Sequence, residues 1–257
     1  MQRVTVWTAA GWAAVCLGVA MQPARAAEAT LELNLPSAYV WRGITVNDGP
    51  VAQPSLDVSL PAGFSLNVWG NLDLSEYHGA FERGEFSEID LSANYAYQKG
   101  RFEFSAGYIE YLFPHQTETA EEAPSAAAPG TRELCAGVEA DLGRGFALKL
   151  EGFYDLDEVE DFYAYLEGSY GFDLPPKQLT GKLSASAGAA GKDWALYNSG
   201  GTDGGLHEYD LALDLTWKRF DPLTVGGKMA YAGSLDEDVL PDQDTHWYGG
   251  LSVAYSF

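Results

Sequence analysis

Ser87-Glu88-Ile89-Asp90-Leu91-Ser92-Ala93-Asn94-Tyr95-Ala96-Tyr97 decides the fold. Ile89, Leu91, Ala93, Tyr95 and Tyr97 alternate with Glu88, Asp90, Ser92 and Asn94. A period of two puts successive side chains on opposite faces of a strand, one face apolar and the other wet. The same alternation appears upstream, with Leu56, Val58 and Leu60 against Ser55, Asp57 and Ser59, then Phe64, Leu66 and Val68 against Ser65 and Asn67. Extended along the chain, the pattern predicts twelve strands, at 30–42, 52–60, 64–72, 86–97, 102–112, 132–141, 146–154, 162–172, 179–189, 207–217, 223–231 and 246–257.

The connections carry the next step. Short segments at 61–63, 98–101, 142–145, 173–178 and 218–222 alternate with longer ones at 43–51, 73–85, 113–131, 155–161, 190–206 and 232–245. An even strand count with alternating short and long connections describes an all-β, closed antiparallel up-and-down transmembrane β-barrel of about 12 strands, with short periplasmic turns and long acidic external loops. Outward aromatics sit at both strand ends: Phe64, Tyr97, Phe102, Phe146, Trp217 and Phe257 on the short-turn side, and Tyr39, Trp41, Tyr154, Tyr209, Tyr231 and Trp247 on the long-loop side. Two aromatic rows bounding an apolar band suit a lipid-facing wall. The alternative is a soluble sandwich or lipocalin-like barrel. It would turn the apolar face inward and give no reason for rings at both strand ends. One parity conflict stands out: 102–108 puts even residues outward, yet Ile109, Tyr111 and Phe113 favour the opposite, so a β-bulge is expected near Gly107.

Composition narrows the class. Thirty-seven Asp and Glu against fifteen Lys and Arg give a net charge of −22 over 257 residues, which excludes non-specific binding to nucleic acid. Aromatics at 13 % exclude a disordered chain. Beyond residue 26 there is no run of about 18 apolar residues, which excludes a helical membrane protein. Residues 1–26 read as a secretory signal, with Arg3, an apolar stretch over 4–20 and Ala24-Arg25-Ala26 at the cleavage point, leaving 27–257 as the barrel. The alternative, an N-terminal anchor, has too short an apolar stretch. Val15 before Cys16 is too large for a lipoprotein cleavage site, so no lipidation is expected. Cys135 is then the single cysteine, and no internal disulfide is expected.

Three stretches resemble a known family: Tyr39-Val40-Trp41-Arg42-Gly43, Gly63-Phe64-Ser65-Leu66-Asn67-Val68-Trp69 and Ser87-Glu88-Ile89-Asp90-Leu91. Together they are similar to the TorF-type porins, Gram-negative outer-membrane β-barrel proteins of largely unassigned substrate, and the likeness is clearest over 37–114. The closing Tyr255-Ser256-Phe257 looks like the terminal strand that the barrel assembly machinery reads. The resemblance implies a porin in the bacterial outer membrane and names no solute.

The interior must therefore be read directly. Parity turns Glu32, Asp57, Glu88, Asp90, Glu103, Glu133, Glu139, Glu151, Glu167, Glu208, Asp210 and Asp214 inward, with Arg42, Arg132, Lys149, Lys182 and Lys228, an interior charge of −7. Such a wall concentrates cations. The pore-lining candidates are Arg42, Trp69, Glu88, Asp90, Glu139, Glu151, Glu208, Asp210 and Asp214. Arg42 either clamps an anionic group or anchors neighbouring carboxylates. Trp69, between Asn67 and Asn71, either narrows the pore, stacks against a sugar or base, or packs inside the barrel. Barrels of about eight strands are filled by side chains and those of sixteen carry open channels, so twelve leaves both an open and a plugged lumen standing.

The expected function is passive, cation-preferring diffusion of small polar solutes or ions, with no cofactor. A non-conducting barrel acting through its acidic loops is the alternative. Expected partners are outer-membrane lipid and lipopolysaccharide. The acidic runs that include Asp155, Asp157 and Glu158, and Asp236 and Asp238, read first as solvated faces, and as candidate divalent-cation sites that could bridge to lipopolysaccharide phosphates in the alternative. An outer-membrane hydrolase is weighed and set aside. His78, His115, His207 and His246 fall on long loops or at outer strand ends, read as ordinary solvated positions, with no serine or acid nearby forming a signature.

Overall fold

A computed structural model describes residues 27–78, 82–114, 130–175 and 178–257. The expected signal segment, residues 1–26, and His115 lie outside the described residues. Twelve strands close a ring: β1 (Glu28–Pro36), β4 (Val51–Ser59), β5 (Phe64–Asp73), β6 (Phe86–Lys99), β7 (Phe102–Leu112), β8 (Thr131–Gly143), β9 (Phe146–Asp155), β10 (Phe162–Leu174), β11 (Leu179–Ala190), β12 (Gly205–Phe220), β13 (Leu223–Ser234) and β14 (Trp247–Ser256). Each is antiparallel to its neighbours, and β1 pairs with both β14 and β4, so the sheet has no edge. Among the described residues no helix is long and apolar enough to cross a membrane.

The outward face is apolar along the middle of the strands. Leu33, Leu66, Leu91, Leu134, Leu150, Leu166, Leu183, Leu211 and Leu251 all stand exposed. Phe64, Phe102, Phe146 and Phe257 ring the short-turn end, and Tyr154 and Trp247 are exposed at the other.

The first strand departs from the expected 30–42. β1 stops at Pro36, and the next residues form an inner hairpin, β2 (Tyr39–Trp41) with β3 (Ile44–Asn47), which pairs only with itself. Proline offers no N–H to the ladder and favours a strand end. Arg42 (φ 49°) and Gly43 (φ 78°) then turn the chain back, both left-handed as a two-residue type I′ turn demands. Gly43 is required twice over: a Cβ there would also lie 2.6 Å from the Cβ of Glu208. Tyr39 and Trp41 therefore leave the outer aromatic row and enter the barrel.

Two further expectations change. No bulge interrupts β7: its register with β6 and β8 runs unbroken, and Ile109 and Tyr111 face inward with the other odd residues. They are apolar because the outer half of the lumen is itself packed. A bulge falls instead on β12, opposite Ala187 and Ala189, and turns both His207 and Glu208 into the interior. Arg132, expected inside, alternates with the inward Glu133. It points out at the rim, where its Nε donates to Asp157 Oδ2 at 3.1 Å.

On the long-loop side, Asp244 Oδ2 lies 3.0 Å from His78 Nε2 and accepts the Tyr77 hydroxyl at 2.8 Å, tying two loops together. The His78 contact, then the Tyr77 hydrogen bond, hold the Asp244 carboxyl below its usual range. A depressed carboxylate stabilises the folded arrangement above its ordinary titration range, and that contribution is lost as pH falls through the lowered value. Amide exchange at 74–78 is therefore expected to accelerate once pH drops below about 4, and Asp244→Asn should exchange fast at every pH. For the wall, Leu150→Arg should cost about 2–4 kcal/mol in denaturant titration of the barrel refolded in phospholipid, whereas Leu142→Arg at the short-turn rim should cost about 1 kcal/mol or less.

Candidate functional site

The lumen divides into a packed outer half and a polar inner half. In the outer half Arg42, carried on the hairpin tip, donates from Nη1 and Nη2 to the two carboxylate oxygens of Glu133 at 2.7 and 2.6 Å. Its guanidinium lies over four rings: Phe153 (4.2 Å), Trp41 (4.4 Å), Tyr163 (4.5 Å) and Trp194 (5.5 Å). Arginine suits this place because its planar fork matches a carboxylate while its faces stack on rings. Trp194 comes from a short helix, α1 (Lys192–Asn198), in the β11–β12 connection; Asp161 Oδ2 accepts the backbone N–H groups of Asp193 and Trp194 at its start. Val239 and Ala195 complete an apolar cluster with Ile109, Tyr111, Cys135, Phe153 and Tyr163. The hairpin is fixed elsewhere by Asn47 Nδ2 donating to Asp73 Oδ1 (2.6 Å) and Thr45 N to Gln243 Oε1 (2.8 Å).

Five of the interior carboxylates are held by tyrosine hydroxyls, a feature the sequence reading missed. Tyr39 donates to Glu88 (2.9 Å), Tyr111 to Glu133 (2.8 Å), Tyr165 to Glu151 (2.6 Å), Tyr248 to Asp210 (3.2 Å), and Tyr163 to Glu208. Parity carried the signal, since Tyr163 and Tyr165 share the face of Glu167, and Tyr111 that of Glu103. A phenol satisfies a buried carboxylate without neutralising its charge. Lysines also meet interior carboxylates: Lys149 Nζ lies 2.6 Å from Glu151 and Lys182 Nζ 2.7 Å from Glu167. Asp214 sits in register between Lys182 and Lys228. With Arg132 outside and the buried Asp73 and Asp155 added to the twelve carboxylates expected inside, fourteen inward carboxylates face four bases among the described residues, and the formal interior charge becomes −10.

Each expected lining residue has a definite position. Glu88, Glu151 and Glu208 are buried among partners. Arg42, Trp69, Asp90, Glu208 and Asp210 line a cavity of about 270 Å³ beneath the hairpin. Glu139 lies nearer the short-turn end, half-buried and beside Glu103 and Lys149. Of the acidic loop residues, Asp155 is buried and caps its own turn through the N–H groups of Asp157 and Val159, Asp157 pairs with Arg132, and Asp236 accepts the N–H of Asp238. Glu158 donates its N–H to Thr131. Among the described residues no three His, Cys, Asp or Glu side chains gather closely enough to hold a metal ion. His207, expected to be solvated, is wholly buried because of the β12 bulge, with Nδ1 2.6 Å from Glu208 Oε2, and among the described residues no serine, threonine or cysteine is bonded to it. His246 Nε2 lies 3.3 Å from Asp242.

Solved structures share this architecture. An outer membrane channel from Pseudomonas putida F1 superposes with a TM-score of 0.58 at 12 % identity, over 95 % of this chain and 100 % of that one. The KdgM porin in complex with disordered oligogalacturonate gives 0.55 at 8 % identity over 90 % and 99 %. The NanC porin gives 0.53 at 10 % identity over 88 % and 98 %. These neighbours are porins and channels, and at such identities the likeness is one of fold. No curated protein matches the sequence. The profile of the Gcw_chp family, bacterial proteins of unknown function, matches residues 20–248, and the chain belongs to that family.

Proposed function

We propose that the protein is an outer-membrane channel that passes small polar solutes or ions passively and prefers cations. The observation that carries this reading is the closed barrel with fourteen carboxylates and four bases facing inward among the described residues. Fixed negative charge on a low-dielectric wall raises the local cation concentration and repels anions. The same charge disfavours a polyanion such as the oligogalacturonate held by KdgM. No catalysis or cofactor is involved. Residues 1–26 direct export, the strand ending in Tyr255-Ser256-Phe257 is read by the barrel assembly machinery, and the acidic outer loops meet lipopolysaccharide. The stretches that resemble TorF-type porins fall on the inner hairpin, β5 and β6, and the resemblance agrees with a porin.

A second reading has its own support. The hairpin, α1 and Val239 fill the outer half of the lumen, as a non-conducting barrel working through its loops would require. Planar-bilayer recording of the refolded barrel under a KCl gradient separates the two. The channel reading expects discrete steps with a reversal potential favouring K⁺. The preference should weaken with salt, because the screening length falls from about 10 Å at 0.1 M to about 3 Å at 1 M. Arg42→Ala removes one partner of a buried pair, a loss of about 3–5 kcal/mol, and should raise the unit conductance by loosening the hairpin. Silence from both proteins, with insertion demonstrated, would reject the channel and leave the loop-binding barrel.

A further inference from the structure

Trp69 on β5 stands directly opposite Asp90 on β6, and both side chains face the cavity beneath the hairpin. Tyr39 leans against Trp69 with ring centroids 5.6 Å apart, while its hydroxyl is committed to Glu88. These four groups make a wall with an aromatic surface and two adjacent carboxylates. Its charges do not balance. Arg42, the nearest base, has both terminal nitrogens engaged by Glu133. Asp90 meanwhile experiences Glu88 and Glu133 as well as Arg42. Asp90 Oδ1 is enclosed and accepts no hydrogen bond from the protein. A carboxylate with one oxygen buried and without a donor is costly, and a cationic donor that reaches the same carboxylate from the cavity offsets the cost.

We propose that Trp69, Tyr39 and Asp90 form a binding subsite for a small organic ammonium ion that keeps at least one N–H. The N–H donates to the Asp90 carboxylate from the cavity side, and the adjoining carbons lie against the indole face, where a cation is favoured electrostatically. A bare metal ion fits less well, because no cluster of three ligating side chains exists among the described residues. The cavity, at about 270 Å³, admits a short alkylamine. The proposal deepens the channel reading by naming a class of solute, yet binding can be measured whether or not current flows.

The test is isothermal titration calorimetry of the detergent-refolded full chain with propylammonium chloride. Tetramethylammonium chloride and KCl serve as comparison titrants at equal ionic strength. Saturable propylammonium binding is expected. Asp90→Asn should weaken it by about tenfold or more, and Trp69→Leu by several-fold, as loss of a charge-assisted hydrogen bond and of a ring face imply. β-sheet circular dichroism establishes that each variant is folded. Tetramethylammonium, which has no N–H, should bind at least about tenfold more weakly than propylammonium. No saturable binding to the folded wild type, undiminished binding to folded Asp90→Asn, or equal affinity for tetramethylammonium would each overturn the assignment. None of these results depends on conductance, so the channel reading is judged separately by the bilayer.

Discussion

Everything in this protein depends on the closure of backbone hydrogen bonding around the ring. In hydrocarbon an unpaired N–H or C=O costs several kcal/mol, so a sheet with a free edge has no place there. β1 meets this demand by pairing with β4 on one side and β14 on the other, and Ala29 and Phe257 exchange both of their backbone hydrogen bonds at the seam. Once the ring is closed, alternation sorts the side chains without further instruction. One parity faces outward and is leucine-rich. The other faces a space in which charge is tolerated only where it finds a partner.

The filling of that space answers the question of width left by a twelve-stranded barrel. Strand side chains alone do not occupy the outer half, and the chain supplies a hairpin and a short helix from its connections. The hairpin tip brings in a guanidinium, which cannot shed its charge and so requires both a carboxylate and weakly polar surroundings. Glu133 supplies the first, and the rings of Trp41, Phe153, Tyr163 and Trp194 the second. Around this centre, tyrosine hydroxyls satisfy five carboxylates, and one of them, Glu151, also meets Lys149. The outcome is an interior that is stably packed and still strongly negative.

Strand positions were legible because period-two alternation is a local property, and all twelve ring strands overlap the expected segments, the first being cut short at Pro36. Tyr39-Val40-Trp41 was misread for the same reason: it alternates like a strand and is one, but pairs with Ile44–Asn47 instead of continuing β1. Pro36 and the Arg42-Gly43 turn were the available signals. Ile109 and Tyr111 looked like a parity error because an inward position was assumed to be polar, and only the packed plug makes an apolar residue correct there. Burial of His207 depends on a bulge in β12, which no alternation pattern announces. The pairing of Arg42 with Glu133 spans 91 residues and follows from three-dimensional register alone.

The Arg42 enclosure also has a temporal meaning. Its walls come from β8, β9, β10 and the β11–β12 connection, whereas the arginine belongs to the connection that follows the first strand. The receptacle exists only after four later segments of the chain stand side by side, so the hairpin has nothing to enter early in folding. Contacts of such long sequence separation form late. The segment nearest the seam is thus among the last to find its partners, and its docking reports that the wall opposite has been built.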